Sequence, residues 1–358
     1  MDENILSHAL GLYDLVQPRA ELIRHNENMT YMVTCADTPD GECHTNDGRT
    51  AGKQCIRDGV FRGDGVDCHV TGKRYVLRIH KPIEGFSPDL LQMEFNRSEL
   101  IANELEILID LKNGADIPVQ TPVIGKNGRL AQALADGTPV TLLGWIDGQT
   151  VDNVEMSPEL LKNSGIVMAG IHAVFSRKAE SGKRYTRYNY DQELLPRIAE
   201  RIENAARLGI ITLEQARTII KSLDVTRTRF DELDNIHEKH IVHADLGKSN
   251  MIVGTDGRLS PIDFSLCGYS HFYMDIGGIY GLNYDDEGRA KIIEGYKGVR
   301  RCEIEPRYVE PYFALGVVLF IASQYERAKD WDWFPGNMER WRRDIFEPLA
   351  ENTRFIET

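Results

Sequence analysis

Residues 240–278 constrain the fold of this chain more than any other part of its sequence. They read HIVHADLGKSNMIVGTDGRLSPIDFSLCGYSHFYMDIGG, which predicts a short strand, a tight loop, a β-hairpin that turns at residues 254–257, and an acidic turn. Asn250 follows Asp245 by five residues, and Asp263 comes directly after the hairpin. We therefore expect three oxygen-bearing side chains from one short stretch of chain to gather at one place.

These three side chains are of the types that phosphoryl transfer requires. One carboxylate orients the attacking hydroxyl group and accepts its proton, while an amide oxygen and a second carboxylate hold magnesium against a triphosphate. The pattern predicts the first role for Asp245 and the second for Asn250 and Asp263. The alternative is that Asp245 and Asn250 only form a turn and that Asp263 caps a helix.

One charged residue on an apolar helix face adds a second constraint. Residues 97–112 show helical periodicity, and at 100° per residue Glu104 lies in the middle of the stripe of leucines and isoleucines. A buried carboxylate is costly unless a cation meets it. Arg78, on the preceding segment YVLRI, is the nearest candidate. The alternative is that Glu104 lies at the rim of the stripe and reaches solvent.

The remaining pattern divides the chain into a β-rich first part and a helical second part. The predicted strands cover residues 27–35, 74–80, 122–124 and 138–145, and the later predicted helices cover residues 157–175, 190–208, 213–237, 308–328 and 338–351. We predict an α+β fold with one domain over residues 1–147 and a second over residues 148–358.

A long polar insertion is predicted at about residues 36–72 of the first domain. Four cysteines lie in or beside it, Cys35, Cys43, Cys55 and Cys68, but their spacing matches no recognised zinc pattern. Two interpretations stay open at this point. The insertion is either an exposed loop with inert thiols or a metal or redox site. If it binds zinc, the chain belongs to a different function class, a zinc-organised interaction protein.

Several segments together make the sequence similar to a known family. The segments ENMTYMV, YVLRIHKP, NELEILIDL, LLGWIDG, HADLGKSN and IDFSLCGYSHFYMD resemble those of the aminoglycoside phosphotransferase and choline kinase-like group. The last two segments are the most specific. The resemblance implies a bilobal, protein-kinase-like fold with a small β-rich N-lobe, which binds the nucleotide, and a larger α-helical C-lobe, which carries the catalytic loop and the acceptor-binding helices.

The resemblance also implies roles for the residues singled out above. It makes Asp245 the catalytic base and makes Asn250 and Asp263 the ligands of Mg²⁺. Arg78 stands where a strand Lys or Arg contacts the α- and β-phosphates of ATP, and Glu104 matches the helix glutamate that fixes this cation. The last implication agrees with the pairing that the helical periodicity predicts.

Further nucleotide-binding residues follow from the same resemblance. The backbone of Leu143 to Trp145 matches the hinge that holds adenine, and Asn28 lies in the turn that replaces a phosphate-covering glycine loop. Lys248, inside the catalytic loop, is either a catalytic group that neutralises charge on the transferred phosphoryl group or a solvent-exposed loop lysine. Asp275 is expected to order the backbone of this loop.

One position departs from the pattern of the family. Many relatives carry an acidic residue two positions after the metal-binding aspartate, and Ser265 occupies that position here. The substitution leaves open a catalytically weak, nucleotide-binding pseudokinase. A protein-directed kinase is a poorer match because the first lobe contains no GxGxxG motif.

Charge and hydropathy narrow the choice of partners. The formal net charge is −13, with 42 Lys plus Arg against 55 Asp plus Glu, and no window clusters basic residues as nucleic-acid binding requires. The longest apolar run, residues 312–322, is too short for a membrane-spanning helix, and the first residues do not read as a secretory signal. We predict a cytoplasmic protein without nucleic-acid or membrane partners.

The C-terminal part contains aromatic and acidic residues that suit an amine-bearing acceptor through cation–π contacts and charge pairing. They are Tyr312, Tyr325, Trp331, Trp333, Phe334, Glu326, Asp330 and Asp332. The alternative is that these rings belong to ordinary packing. The predicted function is the ATP- and Mg²⁺-dependent transfer of a γ-phosphate to a hydroxyl group of a small molecule, such as an aminoglycoside-like antibiotic or an amino-alcohol.

Overall fold

The computed structural model describes residues 3–25, 27–36, 72–83, 89–92, 95–281 and 285–356. The fold is the predicted α+β, protein-kinase-like one, with a β-rich N-terminal lobe and a larger helical C-terminal lobe. Most of the predicted insertion, including Cys43, Cys55 and Cys68, lies outside the described residues. The metal or redox site considered for this insertion is therefore not tested.

The N-terminal lobe is built on a five-stranded antiparallel sheet with the strand order β1-β2-β3-β5-β4. The strands are β1 (Arg19–His25), β2 (Met29–Thr34), β3 (Arg74–Ile79), β4 (Gln132–Ala133) and β5 (Pro139–Gly144). Burial alternates along β2, as expected for a strand with one face on the core. Helix α1 (Glu3–Gly11) packs on this sheet through Ala9, next to Tyr31 and Leu77.

Two further helices lie between β3 and β4 in the chain, α2 (Asp89–Gln92) and α3 (Arg97–Gly114), and their buried side chains join the core of the C-terminal helices. The side chain of Asn96 caps the start of α3 by accepting hydrogen bonds from the backbone of the first turn. The buried face of α3 carries leucines, isoleucines and Glu104, which is the face that the periodicity predicted.

The C-terminal lobe consists mainly of helices. They are α4 (Pro158–Glu180), α5 (Leu194–Arg207), α6 (Leu213–Asp234), α7 (Tyr273–Gly281), α8 (Asp286–Val299), α9 (Pro306–Ala328), α10 (Phe334–Trp341) and α11 (Glu347–Ala350). Ser157 caps α4 and Pro158 occupies its first turn, as predicted. Among the helices of the described residues, none combines the length and apolar character that crossing a lipid bilayer requires.

Two small sheets hold the segment that carries the predicted site. The first has the order β10-β9-β6 and the second the order β7-β11-β8. Their strands are β6 (Gly148–Thr150), β7 (Tyr188–Asn189), β8 (His240–Val242), β9 (Met251–Gly254), β10 (Leu259–Pro261) and β11 (Gly268–Ser270). The predicted hairpin is therefore β9–β10, and Gly257 in its turn has a positive φ of 78°.

Three predicted elements differ from the structure. The acidic turn predicted at the end of residues 240–278 is the start of helix α7. The predicted strand over residues 122–124 is reduced to an isolated bridge between Pro122 and Leu143, because proline has no N–H to donate to a ladder. The predicted helix over residues 338–351 is interrupted by a π-helical turn at Arg342–Phe346.

Candidate active site

A cavity of about 1110 Å³ opens above the loop between β8 and β9. Its walls come from that loop, the β1–β2 turn, one face of α3, and helices α7 and α9. We call residues 243–250 the catalytic loop, following the prediction. Asp245 faces the cavity from this loop, and Glu27 and Asn28 face it from the β1–β2 turn.

The catalytic loop orients Asp245 through Asn250. The amide nitrogen of Asn250 donates to the backbone oxygen of Asp245 and to its carboxylate Oδ2, both at 2.8 Å. Ile262 N in turn donates to the backbone oxygen of Asn250, which ties the loop to the residue before Asp263. The structure therefore brings Asp245 and Asn250 into direct contact and connects them to the segment that carries Asp263.

A buried hydrogen-bond network holds the catalytic loop from below. Asp275 accepts hydrogen bonds from the backbone N–H groups of His243 at 3.0 Å and Ala244 at 2.7 Å, so the prediction that it orders this loop is confirmed. Asp275 also contacts His172 Nε2 at 2.9 Å, and His172 Nδ1 lies 2.8 Å from the hydroxyl group of Tyr296. Burial lowers the pKa of His172, so a neutral ring that donates from Nε2 and accepts at Nδ1 satisfies both partners.

Asp263 lies on the opposite side of the site in a left-handed backbone conformation, with φ 63° and ψ 66°. Such a conformation is uncommon for a residue other than glycine and often occurs at functional sites. Its Oδ2 is 3.2 Å from Arg24 Nη2 and its Oδ1 is 3.3 Å from Arg78 Nη2. Oδ1 is buried and accepts no hydrogen bond of normal geometry from any described residue.

The predicted pair of Arg78 and Glu104 is present. Arg78 Nη1 lies 3.2 Å from Glu104 Oε1, and both side chains are almost fully buried. Burial raises the pKa of Glu104, against the opposing charge of Arg78. Because Arg78 also reaches Asp263, one guanidinium connects the helix carboxylate to the candidate metal carboxylate.

Three carboxylates influence one another at the cavity. Burial raises the pKa of Asp245 to about 7, and the charges of Asp263 and Glu27 add to the rise. Burial also raises the pKa of Glu27 to about 7, again helped by Asp263. Asp263 differs, because Arg78 and Arg24 outweigh its burial and lower its pKa. Asp245 is open to water inside the cavity but is surrounded by protein on its other sides.

The oxygen atoms of the site fit a magnesium ion. Within the described ranges, no three His, Cys, Asp or Glu side chains form a preassembled cation site. Mg²⁺ does not need such a cage, because it binds one or two carboxylates together with waters and substrate phosphates. Asp263 offers a buried oxygen that accepts no hydrogen bond there, and the amide oxygen of Asn250 is a second hard donor.

The other predicted residues lie around this centre in different ways. Asn28 lines the cavity. The catalytic loop contributes Ala244 to Gly247 to the wall, and Lys248 is not part of it. Leu143 and Trp145 are also outside that lining. The Trp145 amide donates to Arg74 O and that of Gly144 to Thr121 O. These two N–H groups are therefore engaged within the protein, and the role of the hinge in adenine binding stays a prediction.

The aromatic wall of the cavity differs from the predicted one. Of the predicted rings only Tyr312 lines the cavity, together with Phe313, Phe320, Trp341 and Phe355, which were not predicted. Residues that follow one another by three or four positions on α9 face the cavity, so Tyr325 points elsewhere. Trp331 and Trp333 stack on each other, with centroids 5.2 Å apart, and both pack against Phe320 from behind.

The end of the described chain closes the same part of the cavity. Phe355 and Ile356 line it, and their backbone N–H groups donate to Glu310 Oε1 at 2.8 and 2.9 Å. Glu310 is buried on α9. One carboxylate therefore fixes the position of two residues of the cavity wall.

Sequence reasoning missed a buried arginine that shapes the Asp263 segment. Arg187 donates to the backbone oxygens of Phe264 at 3.2 Å, Ser265 at 2.5 Å and Cys267 at 2.9 Å, and also to Leu100 O on α3. These partners are carbonyl groups, which every residue has, so no pattern of side chains in the sequence marks this role.

The sequence matches the profile of the phosphotransferase enzyme family over residues 59–311. The comparison with curated proteins returned no significant match.

Three solved structures illustrate the fold. A microcompartment-associated aminopropanol kinase has a TM-score of 0.64 at 20% identity, covering 98% of this chain and 97% of its own. An amicoumacin kinase, crystallised with AMP-PNP and Ca²⁺, has a TM-score of 0.64 at 16% identity, and the match covers 99% of this chain and 95% of the kinase. An aminoglycoside phosphotransferase from Alicyclobacillus acidocaldarius has a TM-score of 0.54 at 13% identity, and the match covers 96% of this chain and 94% of that one. At these identities the likeness concerns the fold alone.

Proposed function

The chain belongs to the phosphotransferase enzyme family, and from this premise we propose that it transfers the γ-phosphate of ATP, with Mg²⁺, to a hydroxyl group of a small amine-bearing molecule. The observation that carries the proposal is the arrangement around the cavity. Asp245 lines it and is bound to Asn250, and Glu104, which also lines it, is joined through Arg78 to Asp263.

In the proposed reaction Asp245 is the general base. Its carboxylate accepts the proton of the acceptor hydroxyl group, whose oxygen forms a bond to the γ-phosphorus while the bond to the β–γ bridging oxygen breaks. ADP and a phosphate monoester result. Asn250 and Asp263 would hold Mg²⁺, which when bound neutralises charge on the phosphates. Arg78, oriented by Glu104, would contact the α- and β-phosphates.

The acceptor would bind between the catalytic loop and the C-terminal helices. Aromatic rings and the carboxylates of Asp286 and Asp344 line this end of the cavity, which supports an amine-bearing molecule. Both carboxylates are partnered by arginines, Asp286 by Arg289 at 2.9 Å and Asp344 by Arg343 at 2.6 Å. An acceptor amine would therefore compete with, or add to, existing ion pairs.

A turnover assay with Asp245→Asn tests the proposal. The full chain is incubated with Mg²⁺-ATP and a panel of amino-alcohols and aminoglycosides, and ADP release is measured. We expect the variant to lose a factor of about 10²–10⁴ in kcat, because general-base catalysis contributes that much, while its affinity for ADP changes less than twofold. The exposed Asp224→Asn on α6 is the matched control. Equal activity of Asp245→Asn and the parent chain would refute the assigned role.

A nucleotide-binding protein without turnover is the second candidate, and Ser265 is the observation that favours it. It predicts that ATP raises the melting temperature while no member of the panel is phosphorylated. A cytoplasmic location stays a prediction from the sequence.

A further inference from the structure

Glu27 is an acidic residue in a place where the proposed reaction has no assigned use for one. It lies in the turn between β1, which ends at His25, and β2, which begins at Met29. Its side chain is half-buried and lines the cavity. In the proposed reaction this turn covers the phosphates of ATP, so a carboxylate here would repel them unless a cation lies between.

The position of Glu27 is fixed from the opposite side of the cavity. Ser265 Oγ donates a hydrogen bond to Glu27 Oε2 at 3.3 Å, across 238 residues of sequence. Ser265 is itself anchored, since its backbone oxygen accepts a hydrogen bond from the buried Arg187 at 2.5 Å. Glu27 is therefore held beside the segment that begins at Asp263 and does not point freely into solvent.

The charges around Asp263 leave room for a cation. Its buried Oδ1 accepts no hydrogen bond from the described residues but pairs with Arg78 at 3.3 Å, whereas its Oδ2 pairs with Arg24, whose side chain is 56% exposed. An ion pair that exposed contributes little to stability, so Arg24 can leave at small cost. Glu27 and Asp245 line the cavity, and of the two arginines that pair with Asp263, Arg78 is the one that stays buried.

We propose that Glu27 is a further metal-binding carboxylate, which adds an oxygen ligand from the β1–β2 turn to those of Asn250 and Asp263 and is held there by Ser265. The short neutral side chain of Ser265 cannot supply a carboxylate itself, but its hydrogen bond holds the carboxylate of Glu27, from the β1–β2 turn, beside it. The inference rests on the proposed function and deepens it.

Binding of Mn²⁺ tests the inference without using activity. Mn²⁺ affinity is measured by electron paramagnetic resonance on the full chain with saturating ADP, and ADP affinity is measured by calorimetry with a chelator present. For Glu27→Gln we expect Mn²⁺ affinity to fall about tenfold or more, as loss of a group that supports a metal site does. Affinity for metal-free ADP should stay equal or increase, because a repelling charge has been removed.

The exposed Glu21→Gln on β1 is the matched control and should change neither affinity by more than twofold. If Glu27→Gln weakens the binding of metal-free ADP and of Mn²⁺ by the same factor, or leaves Mn²⁺ binding unchanged, the inference is wrong.

Moving the carboxylate across the hydrogen bond sharpens the test. In the double variant Glu27→Gln/Ser265→Asp the acidic group stands on the other partner, and we expect it to recover most of the lost Mn²⁺ affinity. No recovery would contradict the shared position. Should Glu27→Gln fail to fold, Ser265→Ala replaces it, with a smaller loss of Mn²⁺ affinity expected and an unchanged value counting against the inference.

The same measurements separate the proposed function from the proposed role of Glu27. If the parent chain binds neither Mn²⁺ with ADP nor ADP alone, the proposed function fails. If the parent chain binds both and phosphorylates an acceptor while Glu27→Gln binds Mn²⁺ equally well, only the role of Glu27 fails.

Discussion

The two sides of the cavity are held in place by different means. Below it, the catalytic loop is fixed by Asp275 and His172, whose side chains are fully buried. Above it, the β1–β2 turn is held by Arg24, more than half exposed, and by the hydrogen bond between Glu27 and Ser265. Buried networks are strong when every group is satisfied, whereas exposed pairs contribute little. The proposed base is therefore preorganised, and the side that would cover the phosphates can adjust.

The largest expected effect tests the rigid side. Asp275→Ala removes the acceptor for His172 and for the backbone N–H groups of His243 and Ala244. Leaving buried donors without a partner is costly, and we expect a loss of about 5 kcal/mol in the free energy of unfolding. Urea unfolding measures it, with Asp224→Ala on the surface of α6 as the control. A loss below about 1 kcal/mol would remove the distinction between the two sides.

The second effect concerns the residue that joins the two lobes. Arg78→Met leaves Glu104 buried without its cation, which we expect to cost about 3 kcal/mol. The double variant Arg78→Met/Glu104→Met should recover at least half of that loss, because a buried ion pair can be replaced by apolar side chains of similar volume. It should not recover ADP affinity, since the proposed contact of Arg78 with the phosphates is also removed. If Arg78→Met lowers the free energy of unfolding more than Asp275→Ala does, the side of the cavity above the catalytic loop is the more firmly held one, contrary to the comparison made here.

The smallest effect is a pH dependence at the proposed base. Because the pKa of Asp245 is raised to about 7, the folded chain binds more protons here than the unfolded chain between about pH 4 and pH 7. The stability that this group contributes is present at low pH and falls as pH rises through that window. Asn does not titrate, so the melting temperature of Asp245→Asn relative to the parent should be higher at pH 8 than at pH 5 by about 2 °C. A chelator keeps metal out of the measurement, and an equal difference at both pH values would contradict the raised pKa.

The sequence allowed the local part of the site to be predicted. Asp245, Asn250 and Asp263 belong to one loop and hairpin, so their neighbourhood follows from chain connectivity. Glu104 was predicted to need a cation because helical periodicity alone placed it on the apolar face of α3. Both inferences use short-range regularities, and the same regularities gave most helices of the second part within a few residues.

The rest of the site depends on contacts between distant segments. Ser265 meets Glu27 across 238 residues, and no periodicity connects them. The aromatic residues of the C-terminal part show the same limit, since composition identified Trp331 and Trp333 but not the helical phase of α9, which turns Phe313 and Phe320 to the cavity. Strand β1 was not predicted. Its side chains are exposed or only partly buried, so its sequence lacks the apolar alternation that marks a strand.

The attachment of residues 355–356 to Glu310 has a consequence for specificity. These residues form part of the cavity wall at the end proposed for the acceptor. They are outside the sheets and helices, and two backbone hydrogen bonds to one side chain and a ring contact with Phe313 hold them there. Changes of side-chain size at Phe355 can thus reshape the chamber without disturbing the catalytic loop. Substitutions at this peripheral segment are therefore expected to change which acceptors fit while Asp245 and its partners keep their positions.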